Sequence, residues 1–124
     1  MICFEIHING IKACTAGIDA EYGVLSSVLT WLKRDLNEFP AEKRNDIQEE
    51  ELKFYLGGHI SHGKNDYENL EWIRKSLSVG DEITIKIIES DKYDEPHKRE
   101  RSDPDFEEKQ KRKYFENLKQ EYEE

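Results

Sequence analysis

Ile2, Phe4, Ile6 and Ile8 alternate with Cys3, Glu5 and His7, a period of two that predicts a strand with one buried face. Asn9-Gly10 follows, the strongest short hairpin signal. The return strand is expected over Ile11 to Ile18. With Asn9 and Gly10 as the loop, Ile8 faces Ile11, His7 faces Lys12 and Glu5 faces Cys14. That register puts Ile2, Phe4, Ile6, Ile8, Ile11 and Ala13 on the buried face. Glu5, His7 and Lys12 share the exposed face with Cys3 and Cys14. The two cysteines are then diagonal, roughly 7–8 Å apart, too far for an unstrained disulfide. Free thiols are expected.

Gly17 to Gly23 reads as a loop. Val24 to Leu32 fits two patterns: Val24, Leu25, Val28, Leu29, Leu32 and Leu36 make one helix face, while the same run also fits a strand buried on both sides. Its β-branched residues and flanking glycine favour the strand. Lys33 to Glu51 is polar and acidic, broken by Pro40, with a short helix expected from Ala41 to Glu50. A structureless connection this long is unusual in a compact domain, so it is either an insertion that makes contacts or a mobile excursion.

Leu52, Phe54 and Leu56 alternate again, and Gly57-Gly58 interrupts them as at a bulge or a close backbone approach. Ser61 to Asn65 is rich in turn formers. Leu70, Trp72 and Ile73 make a short strand or one helical turn. Val79-Gly80-Asp81 turns the chain into the last clear strand, Glu82 to Glu89, where Ile83, Ile85 and Ile87 share a face. From Ser90 the composition changes. Asp91 to Arg101 is charged and aperiodic around Pro96. Ser102 or Asp103 can cap a helix with Pro104 in its first turn. Glu107 with Lys111 and Glu108 with Arg112 support it at i,i+4. Its apolar stripe is narrow: Phe106, Tyr114 or Phe115, Leu118, Tyr122.

The pattern predicts an α+β chain, mainly β: five or six antiparallel strands in a sandwich or partial barrel, with a C-terminal helix. Residues 1–90 form the β domain. Residues 91–124 are a charged extension of the same folding unit.

Composition narrows the function classes. The 124 residues carry a net charge of −9, with 38% charged and 35% hydrophobic positions. Nucleic-acid affinity comes largely from neutralising phosphates, so an acidic chain starts at a penalty there. A basic protein partner is the easier fit. No basic n-region precedes the first strand, and no apolar run approaches the ~20 residues of a membrane span. A cytoplasmic protein with reduced thiols is expected, with no membrane association. An exposed sheet edge can pair two chains, so the expected state is a monomer or a homodimer.

Candidate chemistry is sparse. His59 and His62, three apart, can bind a metal, but a structural site needs about four ligands and no Cys-x-x-Cys is present. Glu5, His7 and Lys12 on one hairpin face are either an acid–base cluster or cross-strand charge pairs. Gly-x-Ser-x-Gly, the phosphate-binding loop and the dinucleotide fingerprint are all absent, and no cofactor is implied. Lys98, Arg99, Arg101, Lys109, Lys111, Arg112 and Lys113 concentrate positive charge beside Tyr114 and Phe115, an arrangement that can contact phosphates and stack bases. Over Asp91 to Glu124, however, twelve acidic residues stand against nine basic, a mixed field that suits a solvated helix.

Two segments resemble a set of small uncharacterised bacterial proteins: Gly23-Val24-Leu25-Ser26-Ser27-Val28-Leu29-Thr30-Trp31, and Leu77 through Val79-Gly80-Asp81-Glu82-Ile83 to Glu89 with Asp94-Glu95-Pro96 beyond. With Leu56-Gly57-Gly58 between them, the likeness covers most of the chain. It implies a strand over Val24 to Leu32 and carries over no functional residue. Leu77-x-Val79-Gly80-Asp81-x-Ile83 is also similar to the entry turn of small oligonucleotide-binding barrels.

Three readings follow from the sequence. The first is an acidic protein-binding module, immunity- or inhibitor-like, with no catalytic constellation. The second is a nucleic-acid-binding barrel using Tyr55, Trp72 and the Lys109, Lys111, Arg112 cluster. The third is a small metal-dependent or acid–base enzyme centred on His59 and His62.

Overall fold

The computed structural model describes residues 1–102 together with Arg112, Lys113 and Glu116. Seven strands run through the described residues: β1 (Ile2–Ile8), β2 (Ile11–Gly17), β3 (Gly23–Lys33), β4 (Glu50–Gly63), β5 (Asp66–Leu77), β6 (Ile83–Glu89) and β7 (Lys98–Arg101). They form two antiparallel sheets, ordered β2-β1-β6 and β3-β4-β5-β7. Ile6, Ile8, Cys14 and Ala16 of the first sheet and Phe54, Leu56, Ile60, Leu70 and Trp72 of the second make one buried cluster. The expected C-terminal helix lies mostly outside the described residues. Of that segment, Arg112, Lys113 and Glu116 are helical and exposed.

The first hairpin turns at Asn9 and Gly10, both at positive φ, and pairs Ile8 with Ile11 and His7 with Lys12. Beyond that the register shifts. Ile6 pairs with Cys14 and Glu5 with Thr15, so one extra residue, Ala13, sits unpaired on β2. A bulge of one residue reverses every side chain that follows it. Cys14 therefore joins Ile6 in the core, whereas the uninterrupted register puts it on the exposed face. Ala13 is the bulged residue and is exposed, and Ile11, which keeps its pairing with Ile8 beside the turn, is exposed as well. Ile2 is exposed at the far end.

Cys3 faces away from the core yet is fully buried. The chain between β6 and β7 covers it. An added Cβ on Gly17, the partner of Cys3, would meet Cys3 Sγ at 2.7 Å and Tyr93 at 3.4 Å. Both thiols are free, and they lie on opposite faces of the sheet. The covering segment ends in a latch on the outer edge of β2. Asp94 N–H donates to the Thr15 carbonyl at 2.8 Å, and the Asp94 carboxylate accepts from Thr15 N–H at 2.8 Å. The Asp94 carbonyl accepts from Trp72 Nε1 at 2.7 Å. One residue thus caps one sheet and ties it to the other.

Strand β7 explains the higher strand count. Lys-Arg-Glu-Arg has no apolar alternation, and it is held by charge against β5. Arg99 meets Glu68 at 3.0 Å and Arg101 meets Asp66 at 3.0 Å. The polar connection from β3 to β4 contains two short 3-10 helices, Leu36–Glu38 and Ala41–Asp46, in place of an α-helix over Ala41 to Glu50. Asp35 caps the first, accepting from Asn37 N–H at 3.0 Å.

Candidate functional site

The residues singled out from sequence fall into separate places. His59 and His62 both lie on β4. His59 Nδ1 is 2.9 Å from Asn69 Oδ1, and its ring is tilted against Tyr67 at 5.1 Å. His62 lies 3.9 Å from Glu68, the next residue of β5, which points to the other side. Among the described residues no group of three or more His, Cys, Asp or Glu is placed to hold a metal. Trp72 is buried in the core with its indole N–H spent on Asp94, so its ring is not a surface platform. Arg112 is exposed, and Lys109 and Lys111 lie outside the described residues.

Glu5 and His7 do come together, 2.8 Å apart on the outer face of the first sheet. The His7 hydrogen bond holds the Glu5 carboxyl below the ordinary carboxylate range, with Lys12 and Lys86 adding to it against a partial burial. Glu5 and Lys12 border a shallow cavity of about 240 Å³ with Thr15, Tyr93 and Asp94.

Tyr55 belongs to a polar cluster on the outer face of the second sheet that sequence reasoning missed. It lies across Gly57, where any Cβ would collide with its phenol ring. The Arg74 guanidinium sits 5.2 Å above that ring. Glu71, only 8% exposed, accepts from Arg74 Nε at 2.6 Å and lies 2.8 Å from His97 Nε2. Burial pushes the Glu71 carboxyl up, but Arg74, His97 and Lys98 together outweigh it and hold it below its ordinary value. Gly57-Gly58 was the one sequence signal for this close approach. The cluster ties β5 to the segment leading into β7, with Arg74 against one carboxylate oxygen and His97 beside the other.

A second unanticipated surface lies along β3. The apolar run fits a strand buried on both sides, but the structure places it at the edge of its sheet. A continuous apolar run gives the same sequence signal in either place. On the core side, Leu29 is 67% and Trp31 65% exposed. On the outer side Val24, Val28 and Leu32 are exposed as well. Immediately beyond Trp31 the chain enters the acidic connection. Residues 34–51 carry seven carboxylates against three cations. Arg34 is taken up by Glu51 at 3.1 Å and the Gln48 carbonyl at 3.0 Å, and Arg44 by the Phe39 carbonyl at 3.1 Å. Arg34 also holds the Glu51 carboxyl below its ordinary range. Asp35, Glu38, Glu42, Asp46, Glu49 and Glu50 are left facing solvent.

Comparison with protein-family models, with curated proteins and with solved structures finds no match to this chain. Among the described residues no helix is long and apolar enough to cross a membrane.

Proposed function

We propose that the protein is a binding module for a basic protein partner. The observation that carries this reading is the junction of an exposed Trp31, with Leu29 beside it, and the solvent-facing carboxylates of residues 35–50. Protein interfaces draw most of their energy from a few aromatic anchors inside a polar rim, and tryptophan is among the most frequent anchors. The acidic rim supplies encounter rate and selects for a basic surface. The two 3-10 helices and the Arg34 contacts give the connection a defined shape, which suits recognition better than a free linker does.

The test is affinity capture from the source cell at low and high ionic strength, with the native chain, Trp31→Ala and the pair Glu38→Lys, Glu42→Lys. The expected result is a basic protein retained by the native chain at low salt, released by high salt and lost from both variants. Identical retention by all three chains would remove this surface from the interaction. Nucleic acid in the native eluate, lost on nuclease treatment, would replace a protein partner with a polynucleotide.

A further inference from the structure

The backbone of β3 offers an interface of its own, apart from the acidic residues at its end but sharing Trp31 with the surface proposed above. The two hydrogen bonds that flank the β3–β4 ladder fix which residues face which way. Ser61 N–H donates to the Tyr22 carbonyl at 3.0 Å, and Arg34 N–H to the Glu49 carbonyl at 2.7 Å. Both follow the ladder register, in which Gly23 pairs with Ile60 and Lys33 with Glu50. Hydrogen-bonded pairs alternate along an antiparallel ladder, so even-numbered residues of β3 turn their N–H and C=O groups to β4. Odd-numbered residues, Gly23 through Lys33, turn theirs to the open edge. Among the described residues nothing pairs with them.

The side chains along this edge are self-complementary. Set β3 antiparallel to a second β3 with the two-fold axis at Val28. Val24 then falls opposite Leu32, Leu25 opposite Trp31, Ser26 opposite Thr30, and Val28 opposite itself. Apolar meets apolar at Val24–Leu32, Leu25–Trp31 and Val28–Val28 and hydroxyl meets hydroxyl at Ser26–Thr30; the one mixed pair along the strand is Ser27 with Leu29. Its one charged residue, Lys33, falls opposite Gly23, so no like charges within the strand are juxtaposed. The backbone phase agrees as well. In this register odd residues oppose odd residues, the arrangement required for the outward N–H and C=O groups to bond each other. About twelve inter-chain hydrogen bonds follow from two full-length edges. The strand contains no proline and no bulge, the usual devices that block edge pairing.

We propose that β3 pairs with β3 of a second copy of this chain, in this register, joining the two four-stranded sheets into one. The pair buries the exposed Val24, Val28 and Leu32 on the outer side and brings Trp31 against Leu25 of the other copy on the core side.

The test uses the full chain in sedimentation equilibrium, with residue-resolved amide exchange. A dimer is expected in which the amides of Leu25, Ser27, Leu29 and Trp31 gain protection as concentration rises. Val28 lies on the axis and exposed, so Val28→Lys and Val28→Asp leave the folded chain intact by circular dichroism. Each is expected to weaken the dimer ~10-fold or more by setting like charges face to face. Mixing the two variants is expected to restore association. Val28→Cys is expected to give a disulfide-linked dimer under mild oxidation, since the axis pair is the closely spaced, non-hydrogen-bonded kind. A native chain that sediments as a monomer at all concentrations would overturn the proposal. So would a dimer indifferent to both Val28 charges. Edge amides protected independently of concentration would assign the edge to residues 103–124 of the same chain and likewise overturn it.

Discussion

Asp94 is the residue through which the crossing segment holds both sheets, and its removal has a calculable cost. Asp94→Ala keeps the backbone bonds to the Thr15 carbonyl and from Trp72 Nε1, and deletes only the carboxylate that accepts from Thr15 N–H at 2.8 Å. Thr15 is buried, so its N–H loses a charged acceptor without free access to water. Hydrogen bonds to charged groups contribute about 1.5–3 kcal/mol. Asp94 itself is exposed, which places the cost toward the lower end, about 1.5–2 kcal/mol. For a chain of this length that corresponds to a fall in Tm of roughly 6 °C. Asp94→Asn retains an acceptor and should lose about half as much. Urea unfolding followed by circular dichroism gives the stabilities, and amide exchange at Thr15 reports the bond itself. An Asp94→Ala chain as stable as the native one, with the Thr15 amide still protected, would refute the latch.

Two further predictions concern titration. Cys14 is pushed up to about 11, first by burial and then by the Asp94 charge, so the folded chain retains that proton where the unfolded chain loses it. Stability is therefore lost as pH rises from about 9 toward 11, and the native-minus-Cys14→Ala difference in unfolding free energy should shrink over that range; a constant difference would contradict it. The folded Glu71 carboxyl lies below its ordinary 4.5, so its contribution is full above that value and is lost as pH falls through the lower folded value. Glu71→Gln should lower stability at neutral pH and flatten the acid limb of the stability curve, and an unchanged acid limb would count against the Arg74–Glu71–His97 tie.

Legibility from sequence followed local periodicity. β1 and β6 are read directly from alternating isoleucines, and the Asn9-Gly10 turn sets the first pairs of the hairpin between β1 and β2. One unsignalled bulge at Ala13 then moved Cys14 from the exposed face into the core, while Cys3 stays on the outer face and is buried by the segment that covers it. β3 was legible as a strand, but its edge position was not, because an apolar run looks alike in the middle of a sheet and at its rim. β7 carries no hydrophobic signal at all. Its pairing depends on the carboxylates of Asp66 and Glu68, thirty residues and more upstream. The acidic connection was legible as a polar insertion. Its conjunction with an exposed Trp31 was not, since that tryptophan sits in a run whose composition argues for burial.

The two proposed interactions at β3 differ in the sign of their salt dependence. Continuing the self-pairing register past the strands brings Glu21 of one copy opposite Asp35 of the other, at both ends of the interface. Each chain also carries a net charge of −9. The field therefore opposes self-association, while backbone bonds and apolar pairs drive it. Raising ionic strength from 0.01 M to 0.1 M shortens the screening length from about 30 Å to about 10 Å. The β3 dimer is expected to tighten over that range, whereas a complex with a basic partner is expected to weaken. Sedimentation of the purified chain across an ionic-strength series measures the first dependence without the partner present. A dimer that dissociates as salt is added would mean that opposite charges hold it, and a pairing axis at Val28 supplies none within the strand.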